Sequence, residues 1–529
     1  MNELLKMNEI VEFYIEGGRS RSGKVLTPKT GLLSIVVDAY LQGLIDDCYI
    51  VPISLCYEKL VEGDFVHEQM GGGKEKETFT SALLAVFKCL QHSHGSVRVD
   101  VAQPFSLKEF VENYKLRLDS CDGDVNDDEE NYYSGRKKVL KASGDCINSS
   151  DNCELSGVNL NAYDKDDANI RSLVYDLAQH ISHDQCRIHS VSSTHLLTFV
   201  LLISNKKSIN LDECVKKFSE YKEYLLDLGH CMSFSGDDGD VVLHAVHLLG
   251  LHLLQFIGDI NSGVISINSS TETHIELSYY ASTVIMLLAS QCVLAHVICL
   301  VGRQNVMNVP TDSEVIQFNK DEVLEEATLM ASLLQNEFIF FAPCSSLESS
   351  LKATFSNMLS NDFFHKKAED FEEMEDEQST KERCMRMAMY LEGEEECEYT
   401  YKEDHFEVYQ VNNMKMERLL ELKKALNPTI ECYCVVAMNF INLINEDAIE
   451  SEFIKNVRND MSQRLTHRQS FYGESISMET MNNSLKTYER LNVVRRYKAA
   501  NLRFIGLVND FTNHKVLCNF IQHIQSFLL

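Results

Sequence analysis

Apolar and polar positions divide the first 115 residues into short apolar runs of strand length and longer segments in which apolar residues recur at helical spacing. The predicted elements are strands at residues 12–15, 48–56 and 96–101 and helices at residues 30–45 and 79–92. Strands that alternate with helices are typical of a mainly parallel sheet with right-handed crossovers. The pattern therefore predicts that residues 1–115 belong to an α/β domain.

The remainder of the chain is helical in pattern. Residues 169–365 are predicted to form a mostly α-helical region, and residues 409–529 a helical tail. Three segments of the first region, 188–205, 241–258 and 277–302, contain no Asp, Glu, Lys or Arg. The last is long enough to cross a bilayer. Its Ser, Thr, Gln and His residues favour a buried core helix instead, and docking on a membrane surface is a third alternative.

Two stretches of biased composition separate these regions. Residues 116–168 are dominated by Asp, Asn, Ser and Gly, which predicts a disordered linker, and residues 366–408 are predicted to be a solvated acidic insert. The chain has 79 acidic and 49 basic residues and a net charge of −30, which argues against general nucleic-acid binding. Its 17 cysteines are scattered and follow no signal-peptide pattern, so we expect reduced thiols. Because no C-x-x-C pair or other ligand spacing occurs, we expect no metal site.

A basic loop stands out against this acidic background. After the apolar run at residues 13–15, the chain breaks at Gly17-Gly18, and Arg19, Arg21 and Lys24 follow. Glycine lets a backbone come close to a ligand, and arginine offers a planar fork to phosphate oxygens. The loop also leaves the carboxyl end of the first predicted strand, where ligands collect in α/β sheets. The sequence therefore favours a phosphate site over a solvated basic turn.

Several segments resemble the glycerol-3-phosphate acyltransferases, most closely the animal mitochondrial type. The matching segments are residues 13–24 (FYIEGGRSRSGK), 50–57 (IVPISLCY), 97–109 (VRVDVAQPFSLKE), 193–195 (STH), 234–236 (FSG) and 240–244 (DVVLH). They occur in the family's order, so the resemblance is not confined to one motif. The resemblance implies transfer of an acyl group from acyl-CoA to the sn-1 hydroxyl of glycerol 3-phosphate, which is the first step of phospholipid and triacylglycerol synthesis.

The resemblance also implies roles for individual residues. Phosphate binding falls to Arg19, Arg21 and, with a less certain role, Lys24; the substrate pocket is lined by Glu16, Gly17, Ser20, Pro52, Ile53 and Tyr57. For the last three, a buried strand is an equally good interpretation. No cofactor is implied, since acyl-CoA is a co-substrate. The implied setting is a lipid bilayer, the mitochondrial outer membrane facing the cytosol.

The sequence departs from the family pattern in one respect. The H-x4-D block, whose His acts as general base in the family, should lie about a hundred residues before the phosphate-binding block, and this sequence does not contain it there. The match His365-x4-Asp370 lies in the wrong place and is of a kind expected by chance. We therefore expect no turnover by this chain alone.

Two alternatives remain open at this stage. The chain is either an incomplete acyltransferase or an inactive binding or regulatory module. Within the family, dihydroxyacetone-phosphate acyltransferase shares the phosphate-binding block, although VRVDVAQPFSLKE at residues 97–109 favours glycerol 3-phosphate.

Overall fold

The computed structural model describes residues 1–18, 20–60, 65–70, 72, 83, 86–87, 90, 93–121, 163–258, 263–308, 316–367, 407–467, 472–499 and 501–528. Arg19, most of the predicted helix at 79–92, and the central parts of the predicted linker and acidic insert lie outside the described residues. Residues 83, 86, 87 and 90 of that predicted helix are described and are helical.

Helices dominate the described residues. They are α1 (Asn2–Lys6), α2 (Gly31–Leu41), α3 (Phe65–Gln69), α4 (Leu107–Cys121), α5 (Tyr163–Ile188), α6 (Ser193–Ser204), α7 (Leu211–Asp227), α8 (Asp238–Leu249), α9 (Thr271–Leu287), α10 (Ala289–Asn308), α11 (Lys320–Leu333), α12 (Leu347–Ser360), α13 (Met416–Asn439), α14 (Glu450–Thr466), α15 (Met478–Arg490) and α16 (His514–Ser526).

The strands are short. They are β1 (Tyr49–Ile50), β2 (Ile53–Tyr57), β3 (Val97–Val101), β4 (Phe105–Ser106), β5 (Ser208–Asn210), β6 (Leu254–Ile257), β7 (Val264–Ile267), β8 (Gln317–Asn319), β9 (Phe364–Lys366), β10 (Val408–Val411), β11 (Ala448–Ile449), β12 (Val494–Ala499) and β13 (Leu502–Leu507). The predicted helix at 30–45 and strand at 96–101 are confirmed as α2 and β3.

The N-terminal part mixes helices and strands as expected, but the predicted mainly parallel sheet is wrong for the described residues. β1 pairs with β4 and β2 pairs with β3, and both pairs are antiparallel. The predicted strand at 48–56 is divided at Pro52, which has no N–H to give to a ladder; its carbonyl accepts the N–H of Ala102 at 2.9 Å. The two halves pair with successive strands of the 97–106 segment, so no parallel crossover is required.

The first predicted strand, at residues 12–15, is also wrong. The chain turns back on itself here, because the Tyr14 carbonyl accepts the N–H of Gly17 at 2.9 Å and the Ile15 carbonyl accepts the N–H of Lys29 at 2.8 Å. Ile15 is buried in a small hydrophobic core rather than in a sheet. The apolar run at residues 13–15 therefore leads into a turn that Ile15 anchors in the small core, while Tyr14 is 70% exposed.

The small core joins the N-terminal elements to α5. Leu33 of α2, Val111 of α4 and Leu177 of α5 all lie in it, apart from the large core of the C-terminal region. The first half of α5 thus packs with the elements that precede the predicted linker, although the pattern assigned residues 169 onward to the helical region. The two ends of that linker are helical rather than disordered, because α4 extends to Cys121 and α5 begins at Tyr163.

We predict that Leu177→Ala destabilises the N-terminal elements. Leu177 is fully buried in the small core, and removing a buried Leu side chain costs about 3 kcal/mol. Hydrogen exchange followed by mass spectrometry should show faster exchange in α2 and α4 while α10 stays protected. Leu226→Ala is the matched control, since Leu226 in α7 is 48% exposed. Equal effects on α2 and α10 would contradict this packing.

The long apolar segment at 277–302 is two helices rather than one. α9 and α10 are bent by 85° at the break between them. Their side chains lie in the large core, as the buried-helix interpretation predicts. Within the described part of the chain, no single helix is long and apolar enough to cross a bilayer, whereas this bent pair meets the requirement by its combined length and composition.

From residue 208 onward, the described residues also include three small antiparallel sheets, which the helical pattern did not indicate. Their strand orders are β5-β7-β6, β8-β10-β9 and β11-β13-β12. In the second sheet, β9 and β10 bring together the two ends of the predicted acidic insert, with Lys366 opposite Tyr409. Residues 368–406 lie outside the described residues.

Candidate functional site

The basic loop, residues 16–29, is closed at its base by the hydrogen bond between Ile15 and Lys29. Gly17 lies at φ +67°, and a Cβ there would come within 2.8 Å of the Lys29 side chain. Gly23 lies at φ +76°, and a Cβ there would be 2.1 Å from the carbonyl oxygen of Tyr279 in α9. Gly23 therefore allows the loop backbone to lie directly against the C-terminal region.

Three carboxylates hold this loop, and we call Glu68, Glu337 and Glu479 the acidic clamp. Arg21 Nη2 lies 2.6 Å from Glu68 Oε2. Lys24 Nζ donates to Glu337 Oε2 at 2.6 Å. Glu68 lies in α3, Glu337 lies in the turn that follows α11, and Glu479 lies in α15. The loop is therefore fixed by elements far away in sequence.

Arg21 and Lys24, two of the predicted phosphate ligands, differ sharply in environment. The Arg21 side chain is 54% exposed. The Lys24 side chain is 9% exposed, and its ammonium lies 4.8 Å from the centre of the Phe338 ring. In this arrangement Lys24 anchors the loop, while the Arg21 guanidinium faces solvent. Phosphate binding by either residue stays a prediction, and Arg19 lies outside the described residues.

Glu16, Gly17 and Ser20, the predicted pocket residues of the loop, surround the same turn. The Ser20 hydroxyl lies 3.3 Å from that of Ser22. Burial raises the pKa of Glu16 from 4.5 to about 7; the Leu26 N–H opposes this shift and the charge of Glu479 adds to it. Glu16 therefore changes charge near neutral pH, next to the acidic clamp.

We predict that docking of the basic loop weakens as the pH rises. Because the pKa of Glu16 is higher in the folded chain than its ordinary 4.5, its contribution is fully present below pH 4.5 and is lost as the pH passes through about 7. Hydrogen exchange of the loop, corrected for the intrinsic pH dependence, should accelerate over this range. In Glu16→Gln the corrected exchange should be independent of pH. An unchanged profile in Glu16→Gln would assign the effect to another group.

Pro52, Ile53 and Tyr57, the other predicted pocket residues, lie on or beside β2. Pro52 is buried, whereas Ile53 is 41% exposed and Tyr57 38% exposed, so the buried-strand interpretation is wrong for these two. They belong to an exposed apolar ribbon face formed by Ile53, Leu55, Tyr57, Val97, Val99 and Val101, the outward side chains of β2 and β3. A role of these residues in the pocket stays a prediction.

The opposite side of the ribbon carries an inner polar cluster, which we define as Ser54, Cys56, Glu58, Asp100, His189 and His195. Ser54 Oγ lies 2.5 Å from His189 Nδ1, and Cys56 Sγ lies 3.9 Å from His195 Nδ1. Glu58 accepts from the Ser193 hydroxyl at 2.6 Å. The inner polar cluster joins the ribbon to the start of α6.

Arg98 extends this cluster through its contact with Asp100. Arg98 Nε donates to Asp100 Oδ1 at 2.8 Å, and Arg98 Nη1 donates to the Met232 carbonyl at 3.1 Å. Burial would raise the pKa of Asp100, but hydrogen bonds from Arg98 and Ser190 outweigh it and the pKa is lowered. One place thus brings together residues of VRVDV and STH with Met232, which lies just before FSG. These segments are separate in the sequence.

Sequence reasoning missed most of this cluster. It included His195 in the matching segment STH but did not single out Ser54, Cys56 or Glu58. The signal was present, since the alternation in ISLCYE places Ser54, Cys56 and Glu58 on one face of a strand. No local pattern connects His189 to them, because its partner Ser54 lies 135 positions away.

Cys56, His189 and His195 are also the residues of this region that could hold a metal ion. Their ligand atoms lie within 4.8 Å of one another. Burial lowers the pKa of His189 to about 4 and of His195 to about 3, so both imidazoles are neutral at physiological pH. Three donors are one fewer than a structural zinc site takes, and each has a hydrogen-bond partner in this arrangement.

We predict that Cys56 is unreactive in the folded protein. Burial raises its pKa to about 12, with Asp100 and Glu58 adding to the shift, so almost no thiolate is present near pH 8. Brief treatment with iodoacetamide and peptide mass spectrometry should show modification of the exposed Cys231 and Cys344 and sparing of Cys56. Modification of Cys56 at the rate of Cys231 would contradict the buried geometry.

Comparison with known proteins identifies the family. The family described as "Glycerol-3-phosphate acyltransferase C-terminal region" matches residues 65–497, and the family described as "Acyltransferase" matches residues 1–56. The chain belongs to the glycerol-3-phosphate acyltransferase family. The acyltransferase match includes the described part of the basic loop, and the C-terminal match includes all three residues of the acidic clamp.

Individual relatives agree with this assignment. The chain is 25% identical to "Glycerol-3-phosphate acyltransferase 1, mitochondrial" of Homo sapiens over its whole length and 64% of the relative. It is 24% identical to "Dihydroxyacetone phosphate acyltransferase" of Oryctolagus cuniculus over 94% of the chain and 62% of the relative. A stretch of 102 residues is 44% identical to the human protein of that name, over 19% of the chain and 15% of the relative. The chain thus spans slightly less than two thirds of the curated relatives that it matches along its length.

Proposed function

We propose that this chain recognises the phosphate of sn-glycerol 3-phosphate with its basic loop, as part of an acyl-CoA-dependent acyltransferase. The observation that carries the proposal is the environment of Arg21 in a chain of this family. Its side chain is 54% exposed and paired through Nη2 with Glu68, on a loop that the buried ion pair of Lys24 with Glu337 fixes. Arginine is suited to this task, since its planar donors match phosphate oxygens.

The reaction follows from the chemistry of the two substrates. The sn-1 hydroxyl oxygen bonds to the thioester carbonyl carbon, the carbon–sulfur bond breaks, and the hydroxyl proton is transferred by a general base and ends on the CoA thiol. Within this proposal, Arg19 and Arg21 bind the phosphate, and Lys24 anchors the loop through its buried ion pair with Glu337. The general base is the His that the family resemblance implies, and we do not assign that role to any residue of this chain.

Location is part of the same proposal. The human relative is named as mitochondrial. The bent pair α9–α10 meets the length and composition requirement for a span, but its side chains pack in the large core, so the relative's name is the support for this part of the proposal. We place the protein at a mitochondrial membrane, with the outer membrane as the favoured one. A carbonate extraction of the expressed chain tests this, since release into the supernatant speaks against integration of α9 and α10.

The second candidate substrate is dihydroxyacetone phosphate, because two relatives are named "Dihydroxyacetone phosphate acyltransferase". Both substrates carry a phosphate on a three-carbon skeleton, so the basic loop recognises the group that they share. They differ at the carbon next to the acylated position, which carries a hydroxyl in glycerol 3-phosphate and is a ketone carbon in dihydroxyacetone phosphate.

We predict that the chain binds glycerol 3-phosphate and that Arg21→Ala weakens binding by roughly tenfold or more, because hydrogen bonds to charged groups contribute about 1.5–3 kcal/mol. Isothermal titration calorimetry with glycerol 3-phosphate, dihydroxyacetone phosphate and glycerol measures this. Arg464→Ala is the control, since Arg464 in α14 pairs with Asp460 on the same helix. Tighter binding of dihydroxyacetone phosphate favours the second candidate, and equal affinity of glycerol and glycerol 3-phosphate contradicts phosphate recognition.

A further inference from the structure

Glu479 contacts the basic loop at two points. Its Oε2 accepts the backbone N–H of Arg21 at 3.1 Å, and its Oε1 accepts the hydroxyl of Ser22 at 2.6 Å. Each carboxylate oxygen thus takes one donor from successive loop residues. The contact fixes the backbone from which the Arg21 side chain extends, and it leaves the guanidinium itself free of Glu479.

The position of Glu479 is itself firmly set. It lies in the first turn of α15, where the Ser477 hydroxyl caps the helix by accepting the N–H of Thr480 at 3.3 Å. The buried side chain of Gln69 accepts the N–H of Glu479 at 3.2 Å and the hydroxyl of Ser477 at 3.1 Å. Gln69 follows Glu68, the partner of Arg21, in α3. The short helix α3 therefore contacts both the Arg21 side chain and Glu479, the residue whose carboxylate fixes the Arg21 backbone.

The opposite side of Arg21 is equally constrained. Gly23 lies against the Tyr279 carbonyl, and Lys24 is buried in its ion pair with Glu337. With the Ser22 contact included, three successive residues after Arg21 are held by the C-terminal region. Arg21 has five N–H donors, and its contact with Glu68 uses Nη2, so donors remain for a ligand.

We propose that Glu479 is a positioning residue for phosphate recognition, which holds the Arg21–Ser22 backbone so that the Arg21 guanidinium is presented to the substrate. This inference rests on the proposed function. It gives α15, in the C-terminal region, a supporting part in binding a substrate at a loop near the other end of the chain. Glu479 acts through Arg21 and does not touch the phosphate.

The test compares Glu479→Ala and Glu479→Gln with Glu489→Ala. Glu489 lies on the same helix and pairs with Arg496, away from the loop. We expect glycerol 3-phosphate to bind roughly tenfold more weakly to Glu479→Ala, less weakly to Glu479→Gln, whose amide oxygen still accepts one donor, and normally to Glu489→Ala. Glycerol affinity and the melting temperature should change little in all three variants.

A double-mutant cycle makes the mechanism specific. If Glu479 acts through the loop, Ser22→Ala and Glu479→Gln should be non-additive in their effect on the affinity for glycerol 3-phosphate. Hydrogen exchange of the Arg21 amide, which donates to Glu479, should rise in Glu479→Ala without added substrate and stay low in Glu489→Ala. A general loss of stability would instead raise exchange throughout α15.

The outcomes separate this inference from the proposed function. Normal binding by Glu479→Ala, in a wild-type chain that binds glycerol 3-phosphate and loses it on Arg21→Ala, overturns the inference and leaves the proposed function intact. Failure of the wild-type chain to bind glycerol 3-phosphate overturns the proposed function and the substrate part of the inference. Loop amides that exchange equally in wild type and Glu479→Ala overturn the claim that Glu479 holds the loop.

Discussion

The ion pair between Lys24 and Glu337 is the interaction on which the arrangement of the basic loop depends. Its two residues are 313 positions apart, and both side chains are almost completely buried. Breaking such a pair by removing one partner costs about 3–5 kcal/mol, because the other charge is left buried without compensation. We therefore expect the loop and the C-terminal region to fold cooperatively. The contacts of Gly23 and Glu479 depend on this docking of the loop.

The two faces of the β2–β3 ribbon show how one short element can serve opposite purposes. Its inner side chains form a connected set of hydrogen bonds with the start of α6, including Glu58 to Ser193. Its outer side chains, such as Ile53 and Val99, are apolar and exposed. Since strand side chains alternate in direction, a register shift of one residue would bury the apolar set and expose the polar one. The inner hydrogen bonds thus specify the register.

Part of this fold could be predicted from the sequence because the signals are local. Helical spacing predicted α2, alternation predicted β3, and the glycines and arginines of residues 16–24 indicated the basic loop. The order of the family blocks then supplied the candidate roles of Arg21 and its neighbours. These inferences depend on neighbours within a few positions, and the structure confirms the elements among them.

The rest depends on contacts between distant residues. Nothing near Arg21 in the sequence indicates that Glu479 fixes its backbone, and the turn at Gly17 that replaces the predicted first strand is closed by Lys29. The antiparallel ribbon results from the pairing of β2 with β3, which are about 40 positions apart in the sequence. The bend between α9 and α10 is likewise invisible in composition, since an apolar segment of that length fits one helix or two. Periodicity reports which side chains are buried, but not which elements they are buried against.

The pairing of β9 with β10 has a consequence for the length of the connection between them. The two strands place residues 364–366 beside residues 409–411, so the described chain on either side of positions 368–406 begins and ends at neighbouring positions of one sheet. The free energy of closing a connection grows with the logarithm of its length, and doubling that length costs only about 0.6 kcal/mol. A change in the number of residues between these two strands is therefore expected to add little to the free-energy cost of closing the connection.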